Sequence, residues 1–494
     1  MLSKVHSLFG SRQVHFRGTS KPITPFGGLI SLVEFFGKIR LTDAIQEFMP
    51  FKLNSPNAIL PAHTLIAFFF SVIVGASRFA HSDWLRADKA LHAMLGIPRF
   101  PGTDTIRNFF SRFSQAAVES FWRPLWRWLL PHFAAPQEGF SLDLDSTIFQ
   151  RSGRQQGAAK GYNPQRPGRK SHHPLLAVLG EAQCVLHAWL RAGNTSASRG
   201  ISHFLREALA LLPAGWKLRT VRADSGFFSE ELLGFLEERG LTYIVVARLT
   251  RNVIRKAAAL RQWIQIDQNY AVSEFETQLF GWNKPRRFVV VRELVRDTKE
   301  AVGRKLLDVP GYTFRIFVTN RSEDALVLWR DYNQRAIIEQ RIEELKAELN
   351  ADGFCMKQFF ATEAAFLSVL FVFNLNSEIR KGIALCKRLW LKEVAKQNAT
   401  SAPAQNDALQ NSLPFRLSPS SFSRHLQTHH PIRGPHQLGR VLRQNSSHQR
   451  DSRVHAFQAE QPERHPSGPY PSGVFLLGDC RRESLCSHRL VACR

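Results

Sequence analysis

Asp143, Asp145 and Asp224 are acids set in stretches that otherwise read as β-strands. In "GFSLDLDSTIF" the residues alternate, which puts Asp143 and Asp145 on one face and Leu142 and Leu144 on the other. In "KLRTVRADSG" Asp224 closes the strand and is followed by Ser225 and Gly226. A carboxylate at a strand end of an α/β sheet is well placed for a site. Acids gathered there repel one another unless a cation lies between them. Hard oxygen donors in a basic chain suggest Mg²⁺ and phosphate chemistry. The plainer reading is structural, because Asp-Ser-Gly is good turn chemistry.

A second group lies in "DYNQRAIIEQRIEELKAE", Asp331 to Glu348. Read as one helix at about 100° per residue, it brings Tyr332, Arg335, Glu339 and Lys346 into a stripe about 60° wide. A carboxylate there can hold a metal, while Arg and Lys can hold the phosphates on either side of a bond being cut. A solvated helix face with ion pairs is the alternative; the like-charged pair Glu339 and Glu343 at i,i+4 weakens it.

These residues need elements to position them. Residues 1–135 read as helical, with apolar spacing of three and four in "GLISLVEFFGKI" and "TIRNFFSRFSQAAVESFWRPLWRWLL". The second stretch carries Arg107, Arg112, Arg123 and Arg127, which suit either a DNA-holding domain or a solvated core helix. Residues 136–250 read as three strands, then helix, strand, helix, strand, which favours a parallel sheet. If the first and fourth strands pair, the two acidic strands lie side by side. Ser229 suits a helix N-cap, and Gly240 suits that helix's end. Residues 251–328 are β-rich, with "RFVVVRELVR" and "YTFRIFVTN" the clearest strands, and 329–398 hold the helix with Glu339. Between the first two strands runs a long loop, "RSGRQQGAAKGYNPQRPGRKSHH", with Lys160, Arg166, Arg169 and Lys170. From 399 to 494 lysine disappears and Ser, Pro, Gln, His and Arg dominate, so this tail is expected to be disordered.

The chain has 494 residues and a formal net charge of +25. Such an excess of Lys and Arg points to a polyanionic partner, above all nucleic acid. "LIAFFFSVIVGA" falls short of the roughly 20 apolar residues a membrane span needs and reads as a buried helix. "MLSKVHSLFGSRQVHF" lacks the apolar core of a secretory signal. Cys184, Cys355 and Cys386 read as reduced thiols, so a cytoplasmic protein is expected. In the tail, Cys480, Cys486, His488 and Cys493 do not have the spacing of a usual zinc finger.

The spacing Tyr-x2-Arg-x3-Glu-x6-Lys resembles the signature helix of a large group of bacterial insertion-sequence DDE transposases. "DLDST" is similar to that group's first-aspartate strand, and "VRADSGF" to its second. "GAAKGYNPQRPGRKSHHPLLA" and "RAGNTSAS" resemble the segments between the two. The resemblance covers roughly Gly139 to Asn376. It implies an RNase H-like α/β catalytic core with a β-rich insertion, and Asp145 rather than Asp143 as the first catalytic acid. It further implies that Asp145, Asp224 and Glu339 hold two divalent metal ions, Mg²⁺ with Mn²⁺ as a substitute. Tyr332, Arg335 and Lys346 would contact DNA near the cut, and the basic loop adds further candidate contacts. The implied partners are the double-stranded DNA of element ends and target, bound by a homodimer on the bacterial nucleoid. The tail matches nothing in this group and resembles translation in a shifted reading frame.

Overall fold

A computed structural model describes residues 23–55, 57–97, 99–294 and 311–382 in full. It also gives the backbone of the short strands Lys4–His6, Gln13–His15 and Arg304–Lys305, and of a last helix that runs to Thr400. The tail expected to be disordered or frame-shifted, and Cys386, lie outside the residues described in full. The chain divides into two compact units, Met1–Gly382 with Val491–Arg494, and Ile383–Leu490. The acids discussed below all belong to the first.

The centre of that unit is one ten-stranded mixed sheet. Its principal strands are β1 (Phe140–Ser146), β2 (Leu175–Leu179), β3 (Cys184–Trp189), β4 (Leu218–Ala223), β5 (Tyr243–Val246), β6 (Tyr270–Thr277), β7 (Arg286–Leu294) and β8 (Tyr312–Thr319). They lie in the order β6-β7-β8-β5-β4-β1-β2-β3, with Ile264–Gln265 beside β6. β1 and β4 do pair, and they run parallel, with Asp143 opposite Arg222 and Leu144 opposite Ala223. The expected parallel sheet is confined to β1, β4 and β5. β2 and β3 add antiparallel because only residues 180–183 join them, enough for a hairpin but not for a crossover. β6, β7 and β8 extend the same sheet through the antiparallel pairing of β8 with β5.

Helices cover this sheet. α1 (Pro61–Ile73) holds the apolar stretch expected to be buried, and it is. The aromatic-rich segment after it forms two helices, α2 (Thr103–Phe110) and α3 (Gln115–Leu129). They separate at Ser114, whose hydroxyl accepts from the Ala117 N–H at 3.2 Å. α4 (Ile201–Leu211) and α5 (Glu230–Glu238) link the parallel strands, and Ser229 caps α5 as expected, accepting from Leu232 N–H at 3.3 Å. The final helix, α8 (Phe359–Thr400), follows α6 (Ala325–Asn333) and α7 (Ala336–Ala347). Its stretch Phe359–Gly382 is long and apolar enough to cross a membrane by length and composition, but 89% of its apolar window is buried inside the protein. Asn374 on α8 holds both the N–H and the C=O of Val185 in β3, at 2.7 and 2.8 Å, and Trp126 of α3 donates to the same carbonyl at 2.8 Å.

The stretch expected to be one helix is broken. α6 ends at Asn333 and α7 begins at Ala336. Across the joint the N–H groups of Arg335 and Ile338 reach back only three residues, to Tyr332 and Arg335, each at 2.9 Å. Such turns advance about 120° per residue, so the stretch departs from one uniform α-helix at this joint. Tyr332 turns instead into an apolar cluster with Ile244, Val289 and Phe317.

Candidate active site

β1 brings Asp145 to its end, one residue before the strand closes at Ser146. Asp143 and Asp145 share a face, as alternation requires, but they occupy different environments. Asp143 is fully enclosed and receives two bonds from Arg222, at 2.8 and 2.7 Å. Asp145 is nearer the surface and receives one bond from Arg335, at 2.9 Å. Burial pushes the Asp145 carboxyl up to about 6; Arg335 pulls it back, while Asp224 and Glu339 add to the rise.

β4 delivers Asp224 beside this point. The turn-capping reading of Asp-Ser-Gly holds: Asp224 Oδ1 accepts from the Gly226 N–H at 2.9 Å. The same carboxylate is close enough to act on Asp145, Tyr332, Arg335 and His173 electrostatically. Glu339 reaches the site from the first turn of α7, with a side chain 63% exposed, and is paired with Arg335. Asp145 thus lies in electrostatic reach of both Asp224 and Glu339.

Within the protein, Arg335 is paired with the acids themselves. Its side chain is 3% exposed, and it donates to Asp145, to the Leu144 carbonyl at 3.1 Å and to Glu339. Burial works to lower its pKa, but Tyr332, Asp145, Asp224 and Glu339 outweigh it and hold the group charged. Tyr332 is equally enclosed, with its ring 4.7 Å from that of Phe317, and burial pushes its phenol up to about 12. Lys346 remains half-buried; burial lowers its pKa, while Asp145, Asp352 and Glu343 oppose the drop.

The donor set suits a hard divalent cation. Asp145, Asp224 and Glu339 offer only carboxylate oxygens, the hard donors that such a cation takes. As placed, no group of three or more His, Cys, Asp or Glu among the described residues is close enough to hold an ion. Glu339 is tied to Arg335, and its exposure leaves it room to turn.

The sequence matches the family described as Transposase DDE domain group 1 over residues 6–394. The chain belongs to that family of DDE transposases. No protein of curated function matches it. Among solved structures it is similar to the piggyBac transposase synaptic complex with hairpin DNA, at 11% identity and a TM-score of 0.41. That match covers 80% of this chain and 89% of the other.

In this DDE transposase chain, the basic loop leaves the sheet just beyond Asp145 and returns at β2. It is more ordered than expected. Phe149–Gln150, Lys170–His172 and Ala159–Lys160 form a small antiparallel sheet in that order. Lys160 and Lys170 face each other directly across it, and all four basic residues are exposed. Opposed like charges weaken a strand pair, so a polyanion placed over them would relieve the ribbon. Its base is tight: a Cβ on Gly161 would lie 1.9 Å from the Gly193 carbonyl oxygen, so a side chain is excluded there. His172 supports it, accepting from Arg151 at 3.0 Å and contacting the Gln156 carbonyl at 2.9 Å, and burial lowers its pKa to about 4.

Of the helical arginines, Arg107 and Arg112 are exposed. Arg123 instead pairs with Glu207 at 2.6 Å, and Arg127 donates to the Ala210 carbonyl at 3.3 Å, so both tie α3 to α4. Sequence reasoning passed over Arg222, Asp331 and His173. The signal for Arg222 was a charged residue at an inward strand position in "TVRAD", and for Asp331 its place at the head of the Tyr-Arg-Glu-Lys stretch.

Proposed function

We propose that this chain is the DNA transposase of an insertion sequence, with an RNase H-like core. It binds the terminal inverted repeats and catalyses metal-dependent cleavage and strand transfer. The observation that carries this reading is the meeting of Asp145 and Asp224, on paired parallel strands, with Glu339 through Arg335. In this reading Asp145, Asp224 and Glu339 hold two divalent ions, Mg²⁺ or Mn²⁺. Bound there, such ions supply a Lewis acid and an activated attacking hydroxyl. The chain's own residues do the rest. Asp145 would serve as a ligand through the carboxylate that Arg335 now holds. Arg335 bridges Asp145 and Glu339 and holds both carboxylates in place. Lys346 is the cation near Asp145 with room to meet a phosphate beside the cut. Lys160, Arg166, Arg169 and Lys170 grip the duplex backbone further out. We assign Arg335 to holding the acids rather than DNA, with Tyr332 packed behind it. A homodimer on cytoplasmic, nucleoid DNA completes the reading.

Labelled element ends and a separate target DNA test it. Cleavage with joined product is expected from the wild-type chain, and neither from Asp145→Ala, Asp224→Ala or Glu339→Ala, each of which should still retard the ends in a gel. Cleavage without joining would make the chain a nuclease, and retardation without cleavage an idle DNA-binding relative. Active Asp145→Ala beside inactive Asp143→Ala would overturn the choice of first acid.

A further inference from the structure

Beneath the three acids runs a second, deeper line of charge that the proposed chemistry does not use. Asp143 lies two residues before Asp145 on β1, and Arg222 two before Asp224 on β4. Side chains two apart on a strand share a face about 7 Å apart. Asp331 lies on α6, eight residues before Glu339. Each of these three belongs to the element, or adjoins the element, that delivers one acid. They are joined to one another. Arg222 Nε and Nη2 donate to the two oxygens of Asp143, while Nη1 donates to the Asp331 carbonyl at 2.8 Å and its carboxylate at 3.1 Å. Arg219 and Arg321 fill the remaining positions on Asp331, the first at 3.1 Å.

We infer that the buried triad Asp143–Arg222–Asp331 is a positioning device that sets the spacing of Asp145, Asp224 and Glu339. The inference rests on the reading of those acids as the working carboxylates. Four observations carry it. First, a buried ion pair seldom outperforms apolar packing as a source of stability, so a fully enclosed triad is a poor choice for stability alone. Second, a guanidinium fork fixes angle as well as distance, which apolar contacts do not. Third, Arg222 is fully partnered, whereas the Nε of Arg335 is buried without a partner and Arg335 is paired to the exposed Glu339. The deep arginine is therefore the fixed one, and the shallow one is able to exchange partners. Fourth, Gly180 leaves the triad just enough room: a Cβ there would meet Arg222 Nη2 at 3.1 Å and Asp143 Oδ2 at 3.2 Å.

Three variants test this, read by thermal melting, Mn²⁺ binding, end retardation and cleavage at saturating DNA. Arg222→Lys keeps the charge and loses the fork. Gly180→Ala keeps every charged group and presses on them. The triple replacement Asp143→Leu, Arg222→Met, Asp331→Leu removes the triad's three charges together and leaves Arg219 to Glu181 and Arg321 to Glu323. Folded variants should bind ends normally but lose about tenfold or more in Mn²⁺ affinity and cleavage rate, the usual scale for residues that orient metal ligands. Wild-type Mn²⁺ affinity and cleavage in any folded variant would overturn the inference. So would failure of all three to fold, which would give the triad to the fold alone. Asp145→Ala run alongside separates the two layers. If it cleaves, the reading of the acids fails; if it is dead while the triad variants are normal, only the positioning role fails.

Discussion

Around α1, α3 and α8 the interior is aromatic. Phe68 meets Phe110 and Phe354 edge to face, both with ring centroids 4.9 Å apart, and Phe69 stacks on Phe371 at 5.5 Å. Between β1, β4 and α6 it is equally enclosed but ionic, with Asp143, Arg222 and Asp331 in place of rings. The aromatic region gains from apolar area, which is indifferent to direction. The ionic region gains from a few bonds of fixed geometry and has to offset the loss of water around every charge. The first therefore sets how firmly the chain is folded, and the second how accurately its strands and helix meet. Glu207 stands between the two. It sits on α4 and takes bonds from Arg123 on α3 and from His187 and Trp189 on β3.

The contrast is broken most severely at its ionic end. Arg222→Leu leaves Asp143 buried without its partner, and should cost about 3–5 kcal/mol of unfolding free energy in denaturant titration. A loss below about 1 kcal/mol would mean that water already reaches the triad. Glu207 gives an intermediate effect that depends on pH. Burial works to raise its pKa, but the bonds from His187 and Trp189 and the charge of Arg123 outweigh it and hold the carboxyl at about 2, against an ordinary 4.5. A carboxyl depressed in the folded state contributes fully above pH 4.5 and loses that contribution as pH falls toward 2. Glu207→Gln should thus lower the melting temperature near neutral pH, by the equivalent of about 1–3 kcal/mol, and the gap from wild type should close as pH falls through that window. A gap independent of pH would assign the effect to packing. The smallest effect is expected in the aromatic region. Leu65→Met nearly conserves volume in a fully buried site of α1 and should cost less than about 1.5 kcal/mol. A larger loss would show that this interior is as exacting in shape as the ionic one is in angle.

Local pattern was enough for much of this chain. Alternation in "FSLDLDS" placed Asp143 and Asp145 on one face, and strand and helix periodicities ran in the order that the structure shows from β1 to β5. Ser229 was legible as a cap because its partner lies three residues away. The Tyr-Arg-Glu-Lys spacing and the two aspartate strands were enough to suggest the family to which the chain belongs. What local pattern leaves open is which of two residues on one face goes deep, and what a buried charge holds. Asp143 is separated from Asp145 by its pairing with Arg222, 79 residues away, and Arg335 turns inward to Asp145, 190 residues away. The break between α6 and α7 likewise accompanies the turning of Tyr332 onto Phe317 in β8, against a spacing that reads as one straight helix. Periodicity records which face a residue occupies. Strand register and helix docking, set by contacts distant along the chain, decide how deep that face lies and which charges meet there.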